Sequence, residues 1–366
     1  MKSLALFCAR LGAPLALAAA LTFAAPAVEA GGSVRFQQRN LVSDGGVPAA
    51  HTDPNLVNAW GIAFNPFAFV WVAAADAGVA TLYDGDGNPQ PLVVQIPGPA
   101  GSDEAGEPTG TVFNGSTGFV VSNGTASGAS RFIFATENGV IAGWAPNVDA
   151  THAIRAVDNS ASRANYKGLA LSADGTRQLL YAADFFHARV AVFDSMFHPV
   201  TLATGAFTDP NIPAGYAPFG IQAIGGDIYV TYAKQDASMS DEVPGPGRGY
   251  VNVYTPKGRL IRRVATRGVL NAPWGVALAP AAFGAFSNAL LIGNFGDGRI
   301  NAFDPVTGVC LGTLRHRDYS PIQIDGLWGI AFGNGFVNQP VNTLFFAAGP
   351  DDEEHGLYGR LDVISN

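Results

Sequence analysis

Charge is scarce in this chain of 366 residues: Asp, Glu, Lys and Arg together make up 14% of it. Ordinary soluble domains carry roughly 25%. So few ionisable groups, together with 45 glycines and 24 prolines, exclude a coiled coil, a helical solenoid and a charge-rich disordered chain. Cysteine is scarcer still, with only Cys8 and Cys310. Cys8 falls in a stretch expected to be removed, so the mature chain has no internal disulfide. Cys310, inside the apolar run Thr307-Gly-Val-Cys-Leu311, is expected as a buried core thiol. Long hydrophobic runs are missing apart from one near the start, so no membrane span is expected in the mature protein. Basic residues are outnumbered, 21 against 29 acidic, and the net charge of −8 argues against nucleic acid or an anionic membrane as partner.

What the chain has in abundance is glycine (45) and proline (24), set between short apolar segments in a sequence that is 48% hydrophobic. That is the look of an all-β protein with many turns. At the start, Lys2 and Arg10 precede an uncharged run from Leu11 to Val28, which ends in Val28-Glu29-Ala30. The layout is that of a secretory signal cleaved after Ala30. It predicts export to the periplasm or the medium, with residues 31–366 as one domain.

The chain repeats itself. Six times a residue followed by glycine opens a short apolar strand: Trp60-Gly61, Thr109-Gly110, Lys167-Gly168, Phe219-Gly220, Trp274-Gly275 and Trp328-Gly329. The glycines recur at intervals of 49, 58, 52, 55 and 54 residues. Each opening is followed by a second apolar strand, a polar turn, a third strand and usually a fourth. Four short strands in a unit of about 50 residues make a propeller blade. The predicted fold is therefore all-β, a six-bladed β-propeller of four-stranded antiparallel blades. The last repeat lacks its fourth strand, and residues 33–43 are expected to supply it by pairing with residues 357–364, which removes an exposed edge.

Antiparallel order then tells which loops share a face. Turns between second and third strands should lie on the same mouth as the connections between blades. The first group is read as Asp76, Asn123, Asp184, Asn294 and Asp351, and the second as Asp53, Asn58, Glu107, Asn271 and Asp325. Carboxylate and amide oxygens converging on one axis suit Ca²⁺ or another divalent cation; the alternative is that they only cap turns. His187 and His355 occupy related turns of opposite repeats, an arrangement open to a lyase or a transition metal. The long loop from Lys234 to Gly249, with Asp241 and Glu242, covers the mouth, meets a partner or is simply solvated. Asp84-Gly-Asp-Gly-Asn88 imitates a calcium loop, but Pro89 replaces the needed glycine, so a hairpin between third and fourth strands is expected.

The runs Asp53-Pro-Asn-Leu-Val-Asn-Ala-Trp-Gly-Ile-Ala-Phe64, Tyr181-Ala-Ala-Asp-Phe-Phe-His-Ala-Arg-Val-Ala-Val-Phe-Asp194, Asn271-Ala-Pro-Trp-Gly275, Ile292-Gly-Asn-Phe-Gly-Asp-Gly-Arg-Ile-Asn-Ala-Phe-Asp-Pro305 and Ile324-Asp-Gly-Leu-Trp-Gly329 carry a resemblance. Together they resemble a family of secreted bacterial proteins of unknown function, loosely NHL-like, some of them in the PEP-CTERM surface-sorting group. The resemblance implies a propeller and secretion but no reaction. The sorted members' Pro-Glu-Pro segment, apolar helix and basic tail are not found before Ser365-Asn366. In lactonase-type propellers a similar axial ring holds a catalytic metal. Three functions follow as expectations. The first is a monomeric binding module taking a small molecule, a glycan or an envelope protein at the upper mouth. The others are a metal-dependent hydrolase at the Asp/Asn ring and a lyase using His187 and His355.

Overall fold

The computed structural model describes residues 35–364; the leader expected at Met1–Ala30 lies outside them. The six repeats form six small antiparallel sheets arranged in a ring. The first blade is Ala59–Phe64, Val70–Ala74, Val79–Tyr83 and Val94–Gln95. The second is Pro108–Phe113, Phe132–Thr136, Val140–Trp144 and Ile154–Asp158. The third has three strands, Tyr166–Asp174, Arg177–Asp184 and Arg189–Asp194. The fourth is Tyr216–Ile224, Asp227–Lys234, Tyr250–Tyr254 and Leu260–Thr266. The fifth is Pro273–Leu278, Leu290–Asn294, Ile300–Phe303 and Cys310–Thr313. The sixth combines Leu327–Phe332, Leu344–Ala348 and Leu357–Ile364 with Arg35–Ser43 from the other end of the chain. No α-helix forms among the described residues.

The repeated glycine has a steric cause. Each first strand lines the axis and leans on the first strand of the next blade. At Gly220 an added Cβ would sit 2.0 Å from the Trp274 carbonyl oxygen, and at Gly61 2.3 Å from that of Thr109. The contact runs round to Gly329, whose Cβ would meet the Trp60 carbonyl at 2.5 Å. A side chain at these places would force the inner strands apart, so the ring has a glycine waist.

Second and third strands are covered on both faces by neighbouring blades, which explains why they read as unbroken apolar runs rather than alternating ones. Val70–Ala74 and Val79–Tyr83 are buried throughout. Between the first and second blades Trp71 stacks on Phe132 with centroids 4.1 Å apart. Burial of one such aromatic stabilises the fold by about 1.5–3 kcal/mol. Closure follows the expected pairing: Arg35 opposes Ile364 and Ser43 opposes Leu357, with a bulge between Asn40 and Val42.

Three local expectations need correction. The hairpin Val120–Ser122/Ser127–Ala129 is an insertion between the first and second strands of the second blade. Asn123 at its tip therefore sits on the connection opposite to the one expected, and Glu137 occupies the second-to-third turn. Cys310 is exposed, because the outermost strand of the fifth blade has no neighbour over it. The third blade has no fourth strand.

Candidate functional site

The residue before each waist glycine turns into the axis. Trp60, Phe219 and Trp328 from three blades meet in one buried cluster with Phe185, and Trp274 packs against it. Trp60 and Trp328 stack with centroids 3.4 Å apart, and Trp274 stands edge-on to both at 6.0 and 5.8 Å. Their bulk plugs the axis. In the third repeat this position is Lys167, 2% exposed. Its ammonium lies 5.3 Å from the Trp60 ring centre, and its carbonyl accepts a hydrogen bond from Trp274 Nε1–H at 2.8 Å.

A buried ammonium needs paired carboxylates. Lys167 Nζ donates to Glu137 and, at 3.2 Å, to Asp241 Oδ1. Burial alone would lower its pKa, but Glu137, Glu242 and Asp241 hold it well above the ordinary value. Glu242 is pushed up to about 7 by burial, with Lys167 opposing and Glu137 and Asp241 adding repulsion. Glu353 is also pushed up to about 7, again mainly by burial. Glu107 is raised by burial and then by its neighbours Glu137 and Asp76. Asn58, in a left-handed conformation at φ 49°, knits one side together. Its Nδ2 donates to Asp76 Oδ1 at 3.1 Å and to Glu353 Oε2 at 2.8 Å. The mouth thus gathers six carboxylates, Asp76, Glu107, Glu137, Asp241, Glu242 and Glu353, around a single ammonium. That charge imbalance favours a cation or retained protons at neutral pH.

Of the residues expected at this mouth, Asn58, Asp76 and Glu107 belong to the cluster. The rest hold local structure. Asp53 accepts from the Tyr83 hydroxyl at 2.9 Å and from the Asn55 amide. Asp184 is fully buried between His187 Nδ1 at 2.8 Å and Arg189 Nε at 3.0 Å. Asn294 donates to the Val269 carbonyl and to Asp297. Asn271 accepts from the Gly245 amide, and Asp325 from that of Asp351. Asn123 caps its own hairpin. His355 Nδ1 lies 2.8 Å from Asp44 Oδ2, and this bond raises the imidazole pKa. Each histidine is engaged with a different carboxylate. No group of three or more His, Cys, Asp or Glu arranged to hold a metal ion occurs among the described residues.

Sequence reasoning missed Lys167, Glu137 and Glu353 as site residues. Lys167 had a readable signal, being the one charged residue among Trp60, Thr109, Phe219, Trp274 and Trp328 at the repeat's axial position. Glu137 was hidden by the inserted hairpin, whose Phe119-Val-Val-Ser-Asn123 run imitates a second strand and its turn.

Below the waist the same inner strands line a vestibule of about 400 Å³. Ile62, Phe64, Phe113, Val276, Ile330 and Phe332 are among its walls, and no ionisable side chain is.

An uncharacterized protein of Acanthamoeba polyphaga mimivirus is 35% identical over 327 residues, covering 88% of this chain and 78% of its own. A second uncharacterized mimivirus protein is 34% identical, over 88% of this chain and 84% of its own. This chain and the two viral proteins belong to one family. No known family model matches the sequence. Among solved structures, virginiamycin B lyase from Staphylococcus aureus superposes with a TM-score of 0.52 at 14% identity, over 91% of this chain and all of that one. A Bacteroides thetaiotaomicron protein of unknown function gives 0.56 at 12% identity, over 91% and 77%. The pyrroloquinoline-quinone-bound aldose sugar dehydrogenase of Streptomyces coelicolor gives 0.50 at 12%, over 91% and 99%. At these identities the likeness is one of fold, and propellers of this shape host unrelated activities.

Proposed function

We propose that the protein is a binding propeller whose upper mouth takes up a small ligand through a cationic, amine-bearing group. The observation that carries the reading is the set of six carboxylates around Lys167, the one cation paired with them among the described residues, two of them with pKa values raised to about 7. A positive group entering the mouth replaces protons there and relieves the repulsion. The loop that bears Asp241 and Glu242 closes over Lys167, so uptake requires it to move.

Melting curves test this at pH 7 with three additives: spermidine as the amine, Ca²⁺ as the divalent cation, and a neutral disaccharide. Spermidine should raise the melting temperature. At a hundredfold excess over its dissociation constant the gain is about 2.7 kcal/mol. Glu353→Gln should remove much of it. No shift with spermidine overturns the reading. A shift with Ca²⁺ alone moves weight to the cation-dependent hydrolase. The lyase reading has less in its favour, since His187 and His355 each engage a separate carboxylate. Export belongs to the same proposal: the exported protein should begin at Gly31, and an intact Met1 by mass spectrometry contradicts that part. The resemblance to a secreted bacterial family rests on the sequence motifs alone, as the relatives described above are viral.

A further inference from the structure

The third blade ends one strand early. In the first blade, Asp84 N–H donates to the Asn88 carbonyl and Gln90 N–H to that of Leu82, after which Val94 pairs with Ala80 and Gln95 with Val79. The third blade begins the same way. Asp194 N–H donates to the His198 carbonyl and Val200 N–H to that of Val192. After Val200 the chain leaves the sheet, and Phe207 N–H bonds to Gly258 at the fourth blade. By this register Val190 stands where Ala80 stands in the first blade. Its amide and carbonyl face outward with no partner strand among the described residues.

Burial shows that the gap is left partly open. Third strands are buried along their whole length in the first, second, fourth and fifth blades, and at their upper end in the sixth. In the third blade Arg189 is exposed and Val190 and Ala191 are half-buried. An open edge of this kind is a template for another strand.

The rim of the gap has its own chemistry. Arg163, itself exposed, lies over the Phe186 ring at 4.2 Å and pairs with no carboxylate among the described residues. The Phe186 ring meets that of His187, and Arg189, whose Nε bonds Asp184 Oδ2 at 3.0 Å, keeps its side chain 57% exposed. In a protein of net charge −8, two arginines and an aromatic ring here select an acidic partner.

We infer that the outer edge of the third blade is a docking site for an extended, acidic segment of another protein. The segment adds as the missing fourth strand. Its backbone pairs with Val190, and its carboxylates meet Arg163 and Arg189. The site uses the outer edge of the blade and none of the six axial carboxylates.

The test uses two fluorescein-labelled peptides of alternating valine and threonine, one ending in two glutamates and the other in two lysines. Fluorescence anisotropy should show binding of the acidic peptide, weakened by salt, with the lysine peptide about tenfold weaker or more. Hydrogen exchange should show new protection at the Val190 amide. Val190→Pro removes the outward N–H, a change an edge strand tolerates, and should abolish binding, with a modest fall in melting temperature from the lost packing of the half-buried valine. Arg163→Glu should reverse the preference between the two peptides, so the conclusion does not depend on the proline variant folding. Three results overturn the proposal: no binding of the acidic peptide at millimolar concentration, binding unaffected by both substitutions, or protection of Val190 that comes from concentration-dependent self-association.

Discussion

The two ends of the propeller axis are built by the same six strands and differ in almost everything else. Above the glycine waist stand aromatic rings, one ammonium and six carboxylates. Below it the walls are mostly apolar side chains and strand edges, with Thr111 and Gln222 the polar exceptions and no ionisable group. The waist is a matter of sterics, the upper mouth of electrostatics, and the vestibule of neither. Stability should therefore respond differently to substitution at the three levels.

The largest effect is expected at the waist. Gly220→Ala brings a Cβ within 2.0 Å of a backbone oxygen that cannot move without shifting the next blade. A loss of about 4 kcal/mol or more is expected, read from the urea midpoint. A loss under about 1 kcal/mol would mean that the blades are not held at that spacing.

Next comes Lys167→Met, which leaves the carboxylates with no counter-charge. At pH 8 it should cost about 3–5 kcal/mol. The cost should shrink at pH 5, where the carboxyls take up protons. A cost independent of pH would mean that Lys167 acts by packing on Trp60 and Phe185 alone.

A smaller effect concerns pH in the native protein. Glu242 and Glu353 have folded pKa values of about 7 against 4.5 for a free glutamate. Between those values the folded state binds more protons than the unfolded state, so their contribution falls as pH rises from 4.5 to 7. His355, raised above 6.5 by Asp44, adds stability below 6.5 that is lost as pH rises through its folded value. The double substitution Glu242→Gln, Glu353→Gln should flatten the slope between pH 4.5 and 7 in urea titrations. An unchanged slope would place the protons elsewhere.

The smallest effect belongs to the vestibule. Leu278 is 44% exposed, and Leu278→Ser should change stability by no more than about 0.5 kcal/mol. A larger loss would show that the lower end of the axis is a packed core.

What could be read from the sequence divides along the same line. The waist was legible because a steric requirement repeats: a glycine recurs every 49 to 58 residues. Ring closure was legible because an unpaired last strand and a spare first strand complement each other. The upper mouth was only half legible. Asn58, Asp76 and Glu107 follow from blade topology, yet Asp184 sits at an equivalent turn and is satisfied by His187 and Arg189. Side-chain pairing of that kind leaves no mark on spacing. Glu137 was displaced by an insertion, and the short third blade was concealed because Asp194 to Val200 starts a fourth strand before turning away.

On the proposed function, a positive group exchanges for protons at the upper mouth. Calorimetric titration of spermidine at pH 7, in two buffers of different ionisation enthalpy, tests it most directly. Release of on the order of one proton per ligand is expected as Glu242 and Glu353 ionise, with the release reduced in Glu353→Gln. Binding with no proton release, or no binding at millimolar spermidine, would contradict it.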